Sequence, residues 1–579
     1  MRKGLGATLL GDGTAQFRVW APSVASLTLE LDGVSRDMDR DGAWFEATAP
    51  CVAGAHYRFR LPDGTRVPDP ASRAQAGDVH DASIVVDPAA YAWRHTSWRN
   101  RPWHETVVYE AHAGLLGGFT AMRAMLPHLV ELGVTALELM PVADFPGGRN
   151  WGYDGVLPFA PDAAYGTPDE LKALVDDAHG HGLMVFLDVV YNHFGPDGAY
   201  LHAYAKDFFD PEIHTPWGAA IDFNRPEVRD YFISNALMWL NEYRLDGLRF
   251  DAVHAISPAD FLPQLAHAIR SGVDRPVHLV LENENNTSSL LRDAQGSAGF
   301  DAQWADDWHH CLHVLLTGES EGYYEDFQDP ARQLARVLAE GFAYQGEVSP
   351  HSGKPRGEGS AHLPPSAFVV CLQNHDQIGN RAMGERLSVL ADPTALAAAT
   401  ALLLLCPFIP MLFMGEEWGT RQPFLFFTDH NEELAQLVRD GRRREFQHFA
   451  AFKDLERRAE IPDPNAPATF ERSRIDVAES GEQPHDETLA LHRKLLAIRR
   501  THIVAGIPGC HSLGATVLGQ RAVQAAWRLG TGEILTLASN FAADPVGFTP
   551  LAAPCLFGEV PPGDALPGMT TLAFLAPAP

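Results

Sequence analysis

From Trp103 onward the chain repeats one pattern, a short apolar run followed by a stretch with helical periodicity. Strands that alternate with helices pair in parallel, because each helical crossover returns the chain to the same end of the sheet. Eight strand candidates stand out, at 106–109, 135–139, 183–188, 247–251, 278–282, 300–304, 367–372 and 408–414. Ahead of the third, Thr167 as N-cap, Pro168 at the first helical position and Glu170 as the reciprocal partner predict a helix that stops near Gly180 and Gly182. Eight such units in succession predict an α/β protein, a closed (β/α)8 TIM-type barrel with insertions rather than an open sheet.

The flanks follow a different rule. Phe17 and Val19 alternate with polar residues, as do Leu27, Leu29 and Leu31, then Tyr57, Phe59 and Leu61, with Asp32-Gly33 and Asp63-Gly64 where tight turns are needed. That predicts an N-terminal β-sandwich, similar to a carbohydrate module, over 1–95. After a barrel-closing helix around Leu489 to Ile498, alternation returns at Val523, Ala525, Trp527 and Leu529. The predicted division is therefore 1–95, a catalytic barrel over 96–503, and a small C-terminal β-domain over 504–579.

Charge and cysteine usage exclude several classes of function. A formal net charge of −29 repels nucleic acid and anionic membranes. The six cysteines, Cys51, Cys311, Cys371, Cys406, Cys510 and Cys555, form no close pair, so neither a disulfide framework nor a thiolate zinc site has support. Asp12 interrupts the N-terminus before an apolar stretch develops, which does not read as a signal peptide, and the cytoplasm is the expected compartment. The nearly uncharged segment 395–414 is long enough to span a bilayer, but Pro407 and Pro410 divide it into a buried helix and a short strand.

In a barrel, chemistry belongs at the C-terminal ends of the strands. Strand three ends in Asp188, followed by Tyr191-Asn192-His193; strand four reads Gly247-Leu248-Arg249-Phe250-Asp251; strand five ends in Glu282; strand seven runs into Asn374-His375-Asp376. One such carboxylate is ordinarily a salt bridge or a cap. Four together, interleaved with Arg249, His193 and His375, are the equipment for cleaving an acetal, which needs one carboxylate at the oxocarbenium-like carbon and one acid for the leaving oxygen. Arg249 lies two residues before Asp251 on the same strand face and is expected to keep it ionised. Glu282 is expected to have a raised pKa suited to proton donation, with Glu284 as the rival acid.

These segments resemble the four signature regions of the α-amylase family of glycoside hydrolases. The resemblance implies retention of configuration, with Asp251 as nucleophile, Glu282 as acid then base, and Asp376 gripping sugar hydroxyls. It also implies that Asp188, His193, His375 and Arg249 surround the cleaved sugar. Further segments, Asn150-Trp151-Gly152-Tyr153-Asp154, Gln303-Trp304-Ala305-Asp306-Asp307-Trp308-His309-His310 and Gly415-Glu416-Glu417-Trp418, resemble the maltooligosyltrehalose trehalohydrolases within that family. That resemblance implies hydrolysis of the α-1,4 bond next to a terminal trehalose, with a neutral oligosaccharide as substrate and a second enzyme that forms it.

Tyr153 is then the expected ring platform. Trp151 either joins it or packs under the loop, and His254 is placed to touch the leaving sugar. Asp306, Asp307, His309 and His310 could be read as metal ligands or as a hydrogen-bonded loop; the resemblance supplies no metal role and calls for no cofactor, and it does not require calcium. A branching or debranching enzyme with the same chemistry remains an alternative, as does, more remotely, a non-catalytic glucan-binding module.

Overall fold

The computed structural model describes residues 4–215, 218–292 and 299–577. At its centre is a closed barrel of eight parallel strands paired in sequence order. They are β1 (Val108–Ala111), β2 (Ala136–Leu139), β3 (Met184–Val189), β4 (Gly247–Phe250), β5 (His278–Leu281), β6 (Ala302–Trp304), β7 (Phe368–Val370) and β8 (Ile409–Phe413). β8 closes on β1 through Met411 opposite Val108 and Leu412 opposite Tyr109. Every residue of these strands is buried, as expected where helices cover a parallel sheet. The largest shift from the sequence reading is in β1, which starts later than expected and runs on past Tyr109 to bury Glu110.

The helix whose cap the sequence predicts forms there. Pro168–Gly180 starts with Glu170 N–H donating to Thr167 Oγ1 at 3.2 Å and Thr167 N–H donating to Glu170 Oε2 at 2.8 Å. The apolar segment 395–414 resolves into the helix Pro393–Leu405 and β8, as Pro407 and Pro410 dictate. Among the described residues no helix is long and apolar enough to cross a membrane. The helix His485–His502 clamps this region: buried Arg499 donates to the carbonyls of Leu404, Cys406 and Phe408 at 3.3, 2.5 and 2.5 Å.

Ahead of the barrel lie two antiparallel sheets. One contains Gly6–Leu9, Thr14–Trp20, Trp44–Pro50 and Asp39–Asp41; the other contains Val34–Asp37, Thr28–Leu31, His56–Arg60 and Arg66–Val67, with Ser83–Ile84 on its edge. Their facing residues make the core, and Phe17 of one sheet meets Tyr57 of the other edge-on at 4.9 Å. A five-stranded sheet, from His511–Gly519 to Thr570–Ala576, follows the barrel. Trp527 pins it in place, fully buried, with Nε1–H donating to Leu338 O at 3.2 Å and its ring against Phe408.

One insertion matters for the site. The ribbon pairing Ala143–Asp144 with Leu157–Pro161 rises after β2 and carries Trp151 and Tyr153 across the barrel mouth. Gly152 between them has φ 105°, and a Cβ there would lie 2.1 Å from Pro141 O, so only glycine lets the loop turn back so tightly.

Truncating Trp527 to alanine removes both its hydrogen bond and its contact with Phe408. Trp527→Ala is expected to cost about 3–5 kcal/mol, read as a lowered denaturation midpoint of the C-terminal sheet by guanidinium titration.

Candidate active site

The side chains at the C-terminal mouth are organised around one guanidinium. Arg249 projects inward from β4 with no exposed surface; its Nη1 donates to Asp188 Oδ2 at 2.5 Å and to Asp251 Oδ1 at 2.8 Å, and its Nη2 to Glu282 Oε2 at 2.7 Å. The face of Trp304, at the end of β6, lies 4.1 Å from the same group. Three strands thus deliver one carboxylate each to a single cation. Immediately after Asp251, Ala252 takes φ 40°, uncommon for a residue with a Cβ, and this turn aims its N–H at Glu282 Oε2, 2.9 Å away.

Exposure separates the carboxylates that a ligand can reach from those that hold the frame. The side chains of Asp251, Glu282 and Asp376 are 11%, 19% and 35% exposed, whereas Asp188 is only 2% exposed. Tyr153 lies between two of the frame residues, its hydroxyl 2.6 Å from Asp188 Oδ2 and 2.8 Å from His375 Nε2, with its ring stacked on His375 at 5.0 Å. His375 Nδ1 is 2.5 Å from Glu110 Oε1, and its Nε2 is 3.5 Å from Asp376 Oδ1.

The remaining expected residues fall into two groups. His193 is buried beneath the mouth, its Nε2 2.9 Å from Tyr153 O, where it braces the platform loop. Trp151 is buried too: it stacks on Phe424 at 5.1 Å, meets His375 edge-on and donates to Leu425 O, so it supports the loop from below. His254 stands at the rim, a quarter exposed, with Nε2 3.6 Å from Glu284 Oε2. Glu284 itself is 73% exposed and makes no contact with Arg249, which leaves Glu282 as the carboxyl adjoining Asp251.

The electrostatics correct the sequence reading. It predicts an ionised Asp251 and a raised Glu282. Instead, burial and the neighbouring Glu282 push the Asp251 carboxyl well above the ordinary range, even with Arg249 in contact. Burial also raises Glu282, but Arg249 and the Ala252 N–H outweigh it and hold that carboxyl low. The apolar run before Glu282 implied surroundings without donors; the turn at Ala252, invisible in a pattern of residue types, supplies one. Two adjoining carboxyls beside one cation titrate as a pair and share a proton between them. Burial disfavours charge on His375, yet Asp376 and Glu110 prevail and push it up to about 10, so it is a second cation at the mouth.

Some participants escaped the sequence reading. Glu110 in β1 and Glu138 in β2 face the barrel interior beside His375 and Asp188. Their signal was a lone glutamate inside a short apolar strand, visible at Val108-Tyr109-Glu110-Ala111 and Ala136-Leu137-Glu138-Leu139. Asp306, pushed up to about 7 by burial and then by Glu282 and Asp376, lies at the edge of the same cluster. Asp307 accepts from Ala343 N–H and Asn286 and pairs with Arg356, while His309 lies against Leu372 O and Tyr324; the segment is neither a metal cluster nor the expected loop but the start of the helix Asp306–Thr317, tied to its neighbours by these bonds. Among the described residues no group of three or more His, Cys, Asp and Glu is arranged to hold a metal ion.

Comparison with known proteins bears on this arrangement. Residues 94–217 match a family model described as alpha amylase, catalytic domain, and residues 510–577 match a domain of unknown function, DUF3459. A malto-oligosyltrehalose trehalohydrolase of Deinococcus radiodurans is 41% identical over 509 residues, 86% of this chain and 83% of the relative. One from Saccharolobus solfataricus is 38% identical over 510 residues, 86% of this chain and 87% of the relative.

The chain belongs to the malto-oligosyltrehalose trehalohydrolase family.

Its fold is shared over full length with a solved Salmonella typhimurium structure provisionally described as an alpha amylase, with 45% identity, a TM-score of 0.94 and 100% of each chain covered. In this trehalohydrolase-family site the first dependency to test is the central cation. Arg249→Met leaves Asp188, Asp251 and Glu282 buried without it, a loss expected to cost about 3–5 kcal/mol near neutrality. The folded pKa values of Asp188 and Asp251, already above the ordinary range, then rise further, and Glu282 loses the cation that holds it low. The stability they confer is present below about pH 4 and lost as pH rises. The gap in melting temperature between native protein and variant is therefore expected to widen from pH 4 to pH 8.

Proposed function

We propose that the protein is a retaining glycoside hydrolase that cleaves the α-1,4-glucosidic bond adjacent to the terminal trehalose of maltooligosyltrehalose, releasing trehalose and a maltooligosaccharide. The observation that carries this reading is the arrangement of Asp251 and Glu282 on one buried guanidinium, in a chain whose relatives bear the trehalohydrolase name.

Asp251 is the nucleophile. As the sugar enters, its anomeric carbon approaches Asp251 and its glycosidic oxygen approaches Glu282; the proton shared by the pair passes to Glu282, and Arg249 stabilises the ionised Asp251. Glu282 then protonates the leaving oxygen as the C1–O bond breaks and Asp251 bonds to C1. Departure of trehalose admits water, Glu282 removes its proton, the hydroxide oxygen bonds to C1, and Asp251 leaves as a carboxylate. Two inversions give retention. Asp376, the most exposed of the three, grips hydroxyls of the distorted ring, and Tyr153 offers its aromatic face to sugar C–H bonds. His254 at the rim reaches the leaving sugar.

The trehalose-bearing substrate needs a prior enzyme that rearranges the reducing end of a glucan, and that enzyme is the functional partner we propose. A cytoplasmic setting fits six cysteines that are all free thiols.

Product analysis tests the substrate. Maltopentaosyl trehalose is expected to yield free trehalose rapidly, while maltohexaose stays nearly intact; equal cleavage of both, or chain rearrangement without trehalose, would refute the specificity. Glu282→Gln is expected to lower kcat by about 10²–10⁴-fold while leaving substrate affinity near native.

A further inference from the structure

The mouth contains an acid that the reaction above does not use. Glu110 is buried at the end of β1 and grips the residue after Asn374 twice: Oε2 accepts from the His375 backbone N–H at 3.1 Å, and Oε1 lies 2.5 Å from His375 Nδ1. The other ring nitrogen faces the Tyr153 hydroxyl at 2.8 Å and Asp376 Oδ1 at 3.5 Å. Tyr153 in turn donates to Asp188, which meets Arg249. The chain Glu110–His375–Tyr153–Asp188–Arg249 thus joins β1 to the nucleophile, with Glu110 at its far end.

Two-point contact fixes both the position of the histidine backbone and the orientation of its ring, which a single hydrogen bond would not do. The ring is also the surface against which Tyr153 stacks, at 5.0 Å and 23°. Every charged group around the ring is identifiable. Glu110 comes from β1, Glu138 from β2, Asp188 from β3, Arg249 from β4 and Asp376 from the ring's own helix. Tyr153 and Trp151 come from the loop, and Trp304 from β6. Glu138 is pushed well above the ordinary carboxyl range, chiefly by burial and then by Glu110 and Asp188, and burial holds nearby His112 down at about 4. Arg249 opposes a charge on His375, so the cationic form depends on Asp376 and Glu110.

We propose that Glu110 is a positioning residue for this reaction: by gripping His375 at two atoms and countering its charge, it maintains a doubly donating imidazolium that locks Tyr153 and faces Asp376. This rests on the hydrolytic reading above. Loss of Glu110 leaves the ring free to lose its proton. A neutral ring cannot donate from both nitrogens, and the Tyr153 platform and the Asp376 grip loosen together.

Glu110→Gln keeps the shape and removes the charge. The native enzyme retains His375 as a cation until the pH approaches about 10, so its kcat/KM shows no loss from this group at pH 6–8. In Glu110→Gln the pKa of the ring falls, and the cation is lost as pH rises through the lowered value. The expected result is kcat/KM within about threefold of native at pH 5.5 and a further deficit of about tenfold or more by pH 8, one decade of lost cation per pH unit above the pKa.

A deficit equal at all pH values, or a profile superimposable on native, would overturn the proposal. Neutron diffraction of the native, unliganded protein at pH 8 gives a second reading that needs neither a stable variant nor the assigned substrate. Deuterium on both His375 nitrogens is expected; a neutral ring would overturn the proposal while leaving the hydrolytic reading untouched.

Discussion

A guanidinium with no exposed surface, donating to carboxyls from three different strands, sets the terms for everything around it. Arg249 cannot be buried alone, and Asp188, Asp251 and Glu282 cannot be buried without it. One cation does not balance three adjoining acids. The imbalance is what leaves a proton between Asp251 and Glu282, and a shared proton between two reachable carboxyls is what acid-assisted cleavage of an acetal requires. The barrel exists, in this sense, to bring strands three, four and five into register, Asp188 beside Arg249 and Arg249 beside Val280, so that the charges meet.

A second cation completes the mouth. His375, countered by Glu110 below and Asp376 beside it, links through Tyr153 to the same Asp188 that Arg249 holds. The two cations therefore share one acid, and the platform loop spans them. Its placement depends on Gly152, which alone tolerates the approach to Pro141, and on buried Trp151 packed over Phe424. Hydrophobic burial beneath the loop is joined by buried hydrogen bonds, between His193 Nε2 and Tyr153 O and from Trp151 to Leu425 O.

Much of this was legible in residue types. The eight strands of the barrel, the capping box at Thr167, the division of segment 395–414 and the meeting of Arg249 with Asp251 all follow from period, caps and strand parity. What was illegible depends on backbone direction and on packing between distant segments. Glu282 meets Arg249 and, through the left-handed turn at Ala252, a backbone donor as well, and together these outweigh burial and hold its carboxyl low. Glu110 lies far from His375 in sequence, and no local pattern announces their contact. Trp151 reads equally well as a platform or a prop; only the position of Phe424 decides for the prop.

The central claim is that Asp251 forms the covalent bond to sugar while Glu282 moves the proton. It is tested most directly by trapping the intermediate with a fluorosugar α-glycosyl fluoride, whose ring fluorine slows release of the sugar, followed by proteolysis and mass spectrometry of the labelled peptide. The label is predicted on Asp251, in the peptide containing Gly247 to Asp251. A label on Glu282 or Asp376, or turnover through an enzyme that never becomes labelled and gives the inverted anomer, would contradict it.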